Sequence, residues 1–104
     1  MSSPKRPIAL STRARTDLRA IAAYTIARWD AQQWDTYAAA IDQAITMIAD
    51  NPEIGRARDE VRPGYRSYVV GQHLIFYRLT PRAVVVIGIV PARKDLRRAL
   101  RKPS

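Results

Sequence analysis

The chain has 104 residues and a formal charge of +9, a length that holds one domain with one core. It has no cysteine and one histidine, His73, which excludes disulfides, thiolate chemistry, sulfur-ligated metals and a multi-histidine metal site. No apolar run approaches the roughly 18 residues of a membrane span, and the opening residues Met1 to Pro7 carry charge without the apolar stretch of a signal peptide, so a soluble, cytoplasmic protein is expected.

The excess charge sits in one half. Residues 1–53 hold six basic and six acidic side chains, whereas residues 54–104 hold twelve basic and three acidic ones. A field this lopsided attracts phosphate or an acidic protein surface. Arginine supplies fifteen of the eighteen cations, and its planar fork grips both kinds of anion better than lysine does.

In chain order, Ile8 to Leu10 is a short apolar strand, and Ser11 or Thr12 offers a hydroxyl to cap the following helix. In that helix Ala14, Leu18, Ile21, Ala22, Thr25 and Trp29 share one stripe, with Arg13, Arg19 and Arg28 elsewhere. Asp17 falls late for a favourable helix-dipole effect. A second helix repeats the pattern through Trp34, Tyr37, Ala38, Ile41, Ala44, Ile45 and Ile48, and the short break from Asp30 to Gln33 predicts an antiparallel hairpin. Tyr24, Tyr37, Trp29 and Trp34 are expected to pack in the core or between the helices. Asn51-Pro52 ends the second helix, because proline pushes its predecessor out of the helical region.

Residues 53–64 show no period and read as a polar loop in which Arg56, Arg58 and Arg62 lie beside Asp59 and Glu60. Beyond it the period becomes two. Arg66, Tyr68 and Val70 alternate with Ser67 and Val69, and Gly71-Gln72 turns into a strand with Leu74, Phe76 and Arg78 on one face and His73, Ile75, Tyr77 and Leu79 on the other. After Thr80-Pro81-Arg82, Ala83 to Val90 is apolar throughout, as in a central strand, and Pro91 stops it. The remainder from Arg93 to Lys102 reads as a short basic helix docked by Leu96 and Leu100. Residues 1–7 and 101–104 are expected to be flexible.

Apolar stripes on a helical hairpin need a sheet to cover, so the expectation is a two-layer α+β domain: N-terminal strand, antiparallel helical hairpin, three-stranded antiparallel meander and basic C-terminal helix. The sheet's other face, with alternating polar and aromatic residues, is where function is sought.

These residues resemble the ParE branch of the RelE/ParE superfamily of bacterial toxin-antitoxin toxins. The resemblance runs from Ile8 to about Leu100. It is carried by Leu10-Ser11 with Ala14, Asp17-Leu18, Ile21 and Tyr24, by Trp29, by Asn51-Pro52 with Gly55-Arg56, by Gly64-Tyr65-Arg66 and by His73 to Arg78. It implies a single toxin domain that blocks DNA gyrase, arrests growth and serves plasmid or chromosomal stabilisation. It also implies a ParD-like antitoxin, a ribbon-helix-helix protein with an acidic tail, in a higher-order hetero-oligomer. No cofactor is implied. Arg56, Arg58, Arg66, Arg78 and Arg93 are the target-binding candidates, Arg66 and Arg93 foremost because the resemblance places matching arginines there. Leu18, Ile21 and Tyr24 are the antitoxin-binding candidates. The chain departs from the family pattern in having Pro91 where many relatives have histidine.

Two alternatives stand beside this reading. A RelE-like, ribosome-dependent mRNA endoribonuclease would use Arg66, His73, Tyr77, Arg78 and Arg93; it needs proton donors and acceptors beside its cations. His73 and Tyr77 share a strand face about 13 Å apart, too far to act on one phosphate. The other alternative is a non-toxic antitoxin-binding module. Tyr65, Tyr68 and Tyr77 among arginines also suit base stacking, but tyrosine is a favoured strand residue, and direct binding of naked nucleic acid is the weaker expectation.

Overall fold

A computed structural model of the protein describes residues 6–93. Strand β1 (Ile8–Leu10) pairs in parallel with β5 (Val84–Pro91), with Ile8, Ala9 and Leu10 opposite Val84, Val85 and Val86. The chain then turns into α1 (Thr12–Arg28) at Ser11, which rather than Thr12 is the cap. Its Oγ accepts the Ala14 N–H at 2.9 Å and donates to the Ile87 carbonyl at 2.7 Å, so one hydroxyl caps the helix and ties it to the sheet.

That carbonyl belongs to a bulge. Phe76 lies opposite Gly88 while Tyr77 lies opposite Val86, which leaves Ile87 without a partner. The extra residue resets the alternation of β5, so Val84, Val86 and Ile89 all join the core beneath the helices. Beyond the end of β1, the Ile89 N–H donates to Asp17 Oδ2 at 2.9 Å. Asp17 therefore caps a strand edge.

Helix α2 (Ala31–Asp50) starts at Asp30, whose carboxylate accepts the Gln33 N–H at 2.7 Å. It buries Ile41, Ala44, Ile48 and Ala49, with Trp34, Tyr37 and Ile45 partly buried around them. The hairpin is antiparallel. Helix α1 runs from the level of Val86 toward Ile89, whereas α2 runs back from His73, opposite Pro91, to Pro52, which meets Tyr77 opposite Val86. Trp29 departs from expectation: it is the non-helical C-cap of α1, so its side chain leaves the stripe and is 66% exposed, with the Arg28 guanidinium 5.5 Å from its ring centroid. Tyr24 is likewise exposed.

The expected polar loop is more ordered than its composition suggests. A 3-10 turn at Pro52–Ile54 leads into β2 (Arg56–Ala57), which pairs with β3 (Arg66–Val70). Residues 58–65 close a loop whose ends join through Arg58 N–H to Tyr65 O at 2.7 Å, with Val61 tucked inward. Strands β3, β4 (His73–Leu79) and β5 form the expected meander, and β1 and β2 widen it into a five-stranded mixed sheet of order β1-β5-β4-β3-β2. Pro91 is the last paired residue of β5, opposite His73, so the strand runs one residue past its expected end. The expected C-terminal helix with Leu96 and Leu100 lies outside the described residues, as do residues 1–5 and 101–104 of the expected flexible ends.

The helices cover one sheet face, where Val70, Ile75, Tyr77, Val84, Val86 and Ile89 are buried. The other face is not the alternating polar surface expected. Leu74, Phe76, Val90 and Val61 make a second, smaller apolar cluster there, with Tyr65 and Ile87 packed against it. The loop's inward Val61 covers positions that alternation alone assigns to solvent.

The β3–β4 turn needs its glycine twice over. Gly71 has φ +56, the first central position of a two-residue hairpin loop, and a Cβ there would fall 2.6 Å from the Tyr37 ring. Gly71→Ala is expected to destabilise the fold by about 2–4 kcal/mol, combining left-handed strain with overpacking. Urea unfolding of the variant beside wild type measures it, and a midpoint matching wild type refutes it.

Candidate functional site: the arginine-bearing sheet

Tyr77 holds the basic edge of the sheet in place. Its side chain is fully buried, its hydroxyl donates to the Pro52 carbonyl at 2.6 Å and accepts the Gly55 N–H at 2.9 Å, and Arg66 donates to the Gly55 carbonyl at 2.7 Å. Gly55 allows this approach because a Cβ would lie 2.5 Å from the hydroxyl and 2.8 Å from the Ser67 carbonyl. Burial pushes the Tyr77 phenol up from its ordinary value, with the Gly55 hydrogen bond and the Arg66 charge opposing. The phenol therefore stays protonated and is committed to the turn.

The register then sorts the arginines. Arg66 pairs with Ala57 and Tyr77, on the helix-covered face. Arg56 pairs with Ser67, which pairs with Phe76, so Arg56 lies on the outer face. Arg58 joins it there, donating from Nε to Ser67 Oγ at 2.8 Å, with Glu60 3.5 Å from its other end. Arg78, two positions after Phe76, shares that face and is exposed. Arg93 is exposed beyond Ala92, whose N–H donates to the Gln72 carbonyl. It thus sits at the β3–β4 turn, roughly 20 Å of strand from the level of Arg78. The five target-binding candidates are not one cluster: Arg56, Arg58 and Arg78 share the outer face, Arg66 lies inside and Arg93 stands at the far end.

His73 is half-buried on the helix side. Its Nδ1 lies 2.6 Å from the Tyr37 hydroxyl, which also donates to the Val70 carbonyl at 2.9 Å. Burial pulls the His73 imidazole below its ordinary value, and the Asp17 carboxylate only partly offsets this. Burial raises the Tyr37 phenol, a backbone hydrogen bond opposing. The residues of the nuclease alternative are thus split: His73, Tyr77 and Arg66 lie beneath the helices, and Arg78 on the opposite face. Among the antitoxin-binding candidates, Leu18 and Ile21 pack against the main core and Tyr24 is 64% exposed. Among the described residues no group of three potential metal ligands occurs, and no helix is long and apolar enough to cross a membrane.

Three roles escaped the sequence reading: Asp17 as edge cap, Tyr37 as partner of His73, and Ser67 as anchor for Arg58. The pairing of Tyr37 with His73 joins residues 36 apart, so no local spacing announces it.

With this geometry in hand, comparison with known proteins is informative. Residues 8–99 match the family described as the ParE toxin of type II toxin-antitoxin systems, parDE. The chain belongs to the ParE toxin family. The ParE1 toxin of Mycobacterium tuberculosis is 40% identical over 92 residues, covering 88% of this chain and 94% of that relative. The ParE1 toxin of Caulobacter vibrioides is 37% identical over 81 residues, covering 78% and 84%. A solved chain of the chromosomal ParDE system from P. aeruginosa shares the fold at a TM-score of 0.75 and 15% identity, covering 88% of this chain and 100% of that one. A chain of the RelBE2 toxin-antitoxin complex from Mycobacterium tuberculosis does so at 0.59 and 20%, covering 85% and 99%. This chain is therefore a ParE-like toxin of a type II toxin-antitoxin system, with the two helices and mixed sheet of its structural neighbours.

Two measurements probe the site's support in this ParE-family chain. Tyr77→Phe leaves the Gly55 N–H and Pro52 carbonyl without their partner, at an expected cost of about 1–3 kcal/mol; an unchanged urea midpoint refutes the clamp. His73 gives a pH signature. Its folded value lies below that of the unfolded chain, so between the two the unfolded state binds more protons and stability is lost as the pH is lowered. Stability should be flat above about pH 6.5 and decline below it, with the decline reduced in His73→Gln; equal unfolding midpoints at pH 7.5 and 5.5 in wild type would overturn this.

Proposed function

We propose that this toxin acts by protein binding: its basic half engages DNA gyrase, and a cognate ParD-like antitoxin with an acidic tail neutralises it. The observation that carries the reading is the separation of the outer-face cations from the proton-transfer groups; Arg66, the one candidate cation beside Tyr77, is engaged with the Gly55 carbonyl. Arg56, Arg58 and Arg78 occupy the outer face, whereas His73 and Tyr77 are held on the other face by Tyr37, Pro52 and Gly55. A nuclease needs both kinds of group on one phosphate. A binding protein needs only the cations, and a basic surface favours fast association with an acidic partner.

The antitoxin part is supported by the origin of the structural neighbours in ParDE and RelBE systems. Tyr24, exposed on α1 beside half-buried Leu18 and Ile21, offers an aromatic anchor for an antitoxin segment. Target contact falls to Arg56, Arg58, Arg78 and Arg93, with Arg66 supporting the turn that displays the first two.

Purified antitoxin-free protein is expected to inhibit gyrase supercoiling or to trap cleaved DNA, and to lose most of that effect in an Arg56→Gln/Arg78→Gln double variant. No inhibition at several-fold molar excess refutes the gyrase reading. Ribosome-dependent cuts in a primer-extension assay would establish the nuclease instead, and normal growth on inducing the chain alone would favour a non-toxic antitoxin-binding module.

A further inference from the structure

The tyrosines that stand among arginines in the sequence have three different surroundings. Tyr77 is fully buried and Tyr68 lies on the helix side, its hydroxyl near the Met47 sulfur. Tyr65 is on the outer face, half-buried against the second apolar cluster. Its carbonyl receives the Arg58 N–H, which sets it beside Arg58. Extending the β3–β4 register by one residue from Arg66 and Tyr77 sets it beside Arg78. One aromatic ring is thus flanked on both sides by guanidinium-bearing positions, about 5 Å away on each side at ordinary strand spacing. Arg56 follows two residues from Arg58, roughly 7 Å along the strand direction.

The carboxylates near this row are weakly opposed to an anion. Asp59 is turned into its own loop, accepting the Gly64 N–H at 2.8 Å. Glu60 lies 3.5 Å from Arg58, with the carboxylate exposed and the arginine side chain largely buried. Ser67 holds the Arg58 Nε and Glu60 meets the far end of that guanidinium, so a phosphate arriving at Arg58 would take the place of Glu60. Arg56 and Arg78 are exposed.

We propose that the outer face around Tyr65 is a binding site for a single-stranded polynucleotide, with phosphodiesters on Arg56, Arg58 and Arg78 and one base stacked on the Tyr65 ring. Cations that track a backbone beside an aromatic platform are the physical requirement for binding a strand without sequence preference. An acidic protein segment satisfies the arginines equally well and can pack on the ring, but a polynucleotide alternates phosphate and base as this face alternates guanidinium and ring. The site stands on the geometry of this face alone and requires no gyrase. Ser67 is buried and engaged with Arg58, and the proposed contacts are to phosphates and a base face, so DNA and RNA strands are expected to bind alike.

Fluorescence anisotropy of the purified full chain with labelled 12-residue oligothymidylate and oligouridylate tests this across a salt series. Each arginine removed, by Arg56→Gln or Arg78→Gln, is expected to flatten the plot of log affinity against log salt by about 0.7. Tyr65→Leu is expected to weaken binding about five-fold or more with an unchanged slope. Arg19→Gln, on the helical layer, should leave both quantities alone. Because Tyr65 helps cover the outer cluster, thermal unfolding is checked first, and the two arginine variants decide the matter if Tyr65→Leu fails to fold. Absence of binding at low salt overturns the proposal. So does wild-type behaviour of the outer-face variants, or equal competition by an oligoglutamate of matched charge, which would mark the face as a surface for acidic proteins.

Discussion

The buried hydroxyl of Tyr77 is the constraint on which the basic half of the molecule depends. A phenol in an apolar core must satisfy both its donor and its acceptor capacity, because an unmet polar group there costs about 1–3 kcal/mol. Tyr77 does so by reaching the turn after α2, donating to Pro52 and accepting from Gly55. The end of the helical layer is thereby fixed to the middle of the sheet. The turn it fixes leads directly into β2, so the placement of Arg56 and Arg58 follows from a hydrogen bond made by neither.

The same constraint separates arginines that composition treats alike. Arg66 sits one position before Ser67 in β3, and one position in a strand is the difference between faces. Its guanidinium meets the Gly55 carbonyl and completes the brace around the turn. Arg56 and Arg78 have their own reach into solvent on the opposite face. Mutating Arg66 therefore mixes lost charge with a loosened turn, whereas changing Arg56 or Arg78 reports on charge alone. Arginine is the residue for which this distinction matters most, since one side chain serves equally as brace and as anion contact.

Much of the architecture was legible because periodicity is a local property. The two stripes, the proline after α2 and the alternation of Arg66 to Val70 each announce themselves within a few residues, and they gave the hairpin and the meander. What was not legible depends on contacts between distant segments. Strand β2 is two residues long, too short for any period, and exists because Tyr77 brings Gly55 to the sheet. The outer face was read as polar because nothing in residues 53–64 says that Val61 folds back over Leu74 and Phe76. Trp29 fits the α1 stripe in spacing and leaves it in space, since the helix stops one residue earlier and a stripe has meaning only while helical dihedrals last. In the candidate site it was the faces that could not be read: five arginines seen as one set occupy three environments.

That division also changes what the net charge can do. At physiological ionic strength, charges farther apart than about 8 Å are largely screened from one another. Arg93 and the outer-face trio, separated by roughly 20 Å of strand, therefore act together in drawing an anionic partner in from solution but separately once contact is made. The half-chain excess of positive charge is thus a single property for encounter and at least two properties for recognition. The local groups decide which partner stays at each place: the exposed turn at one end, and at the other a ring flanked by guanidinium groups on a face held rigid from behind by Tyr77.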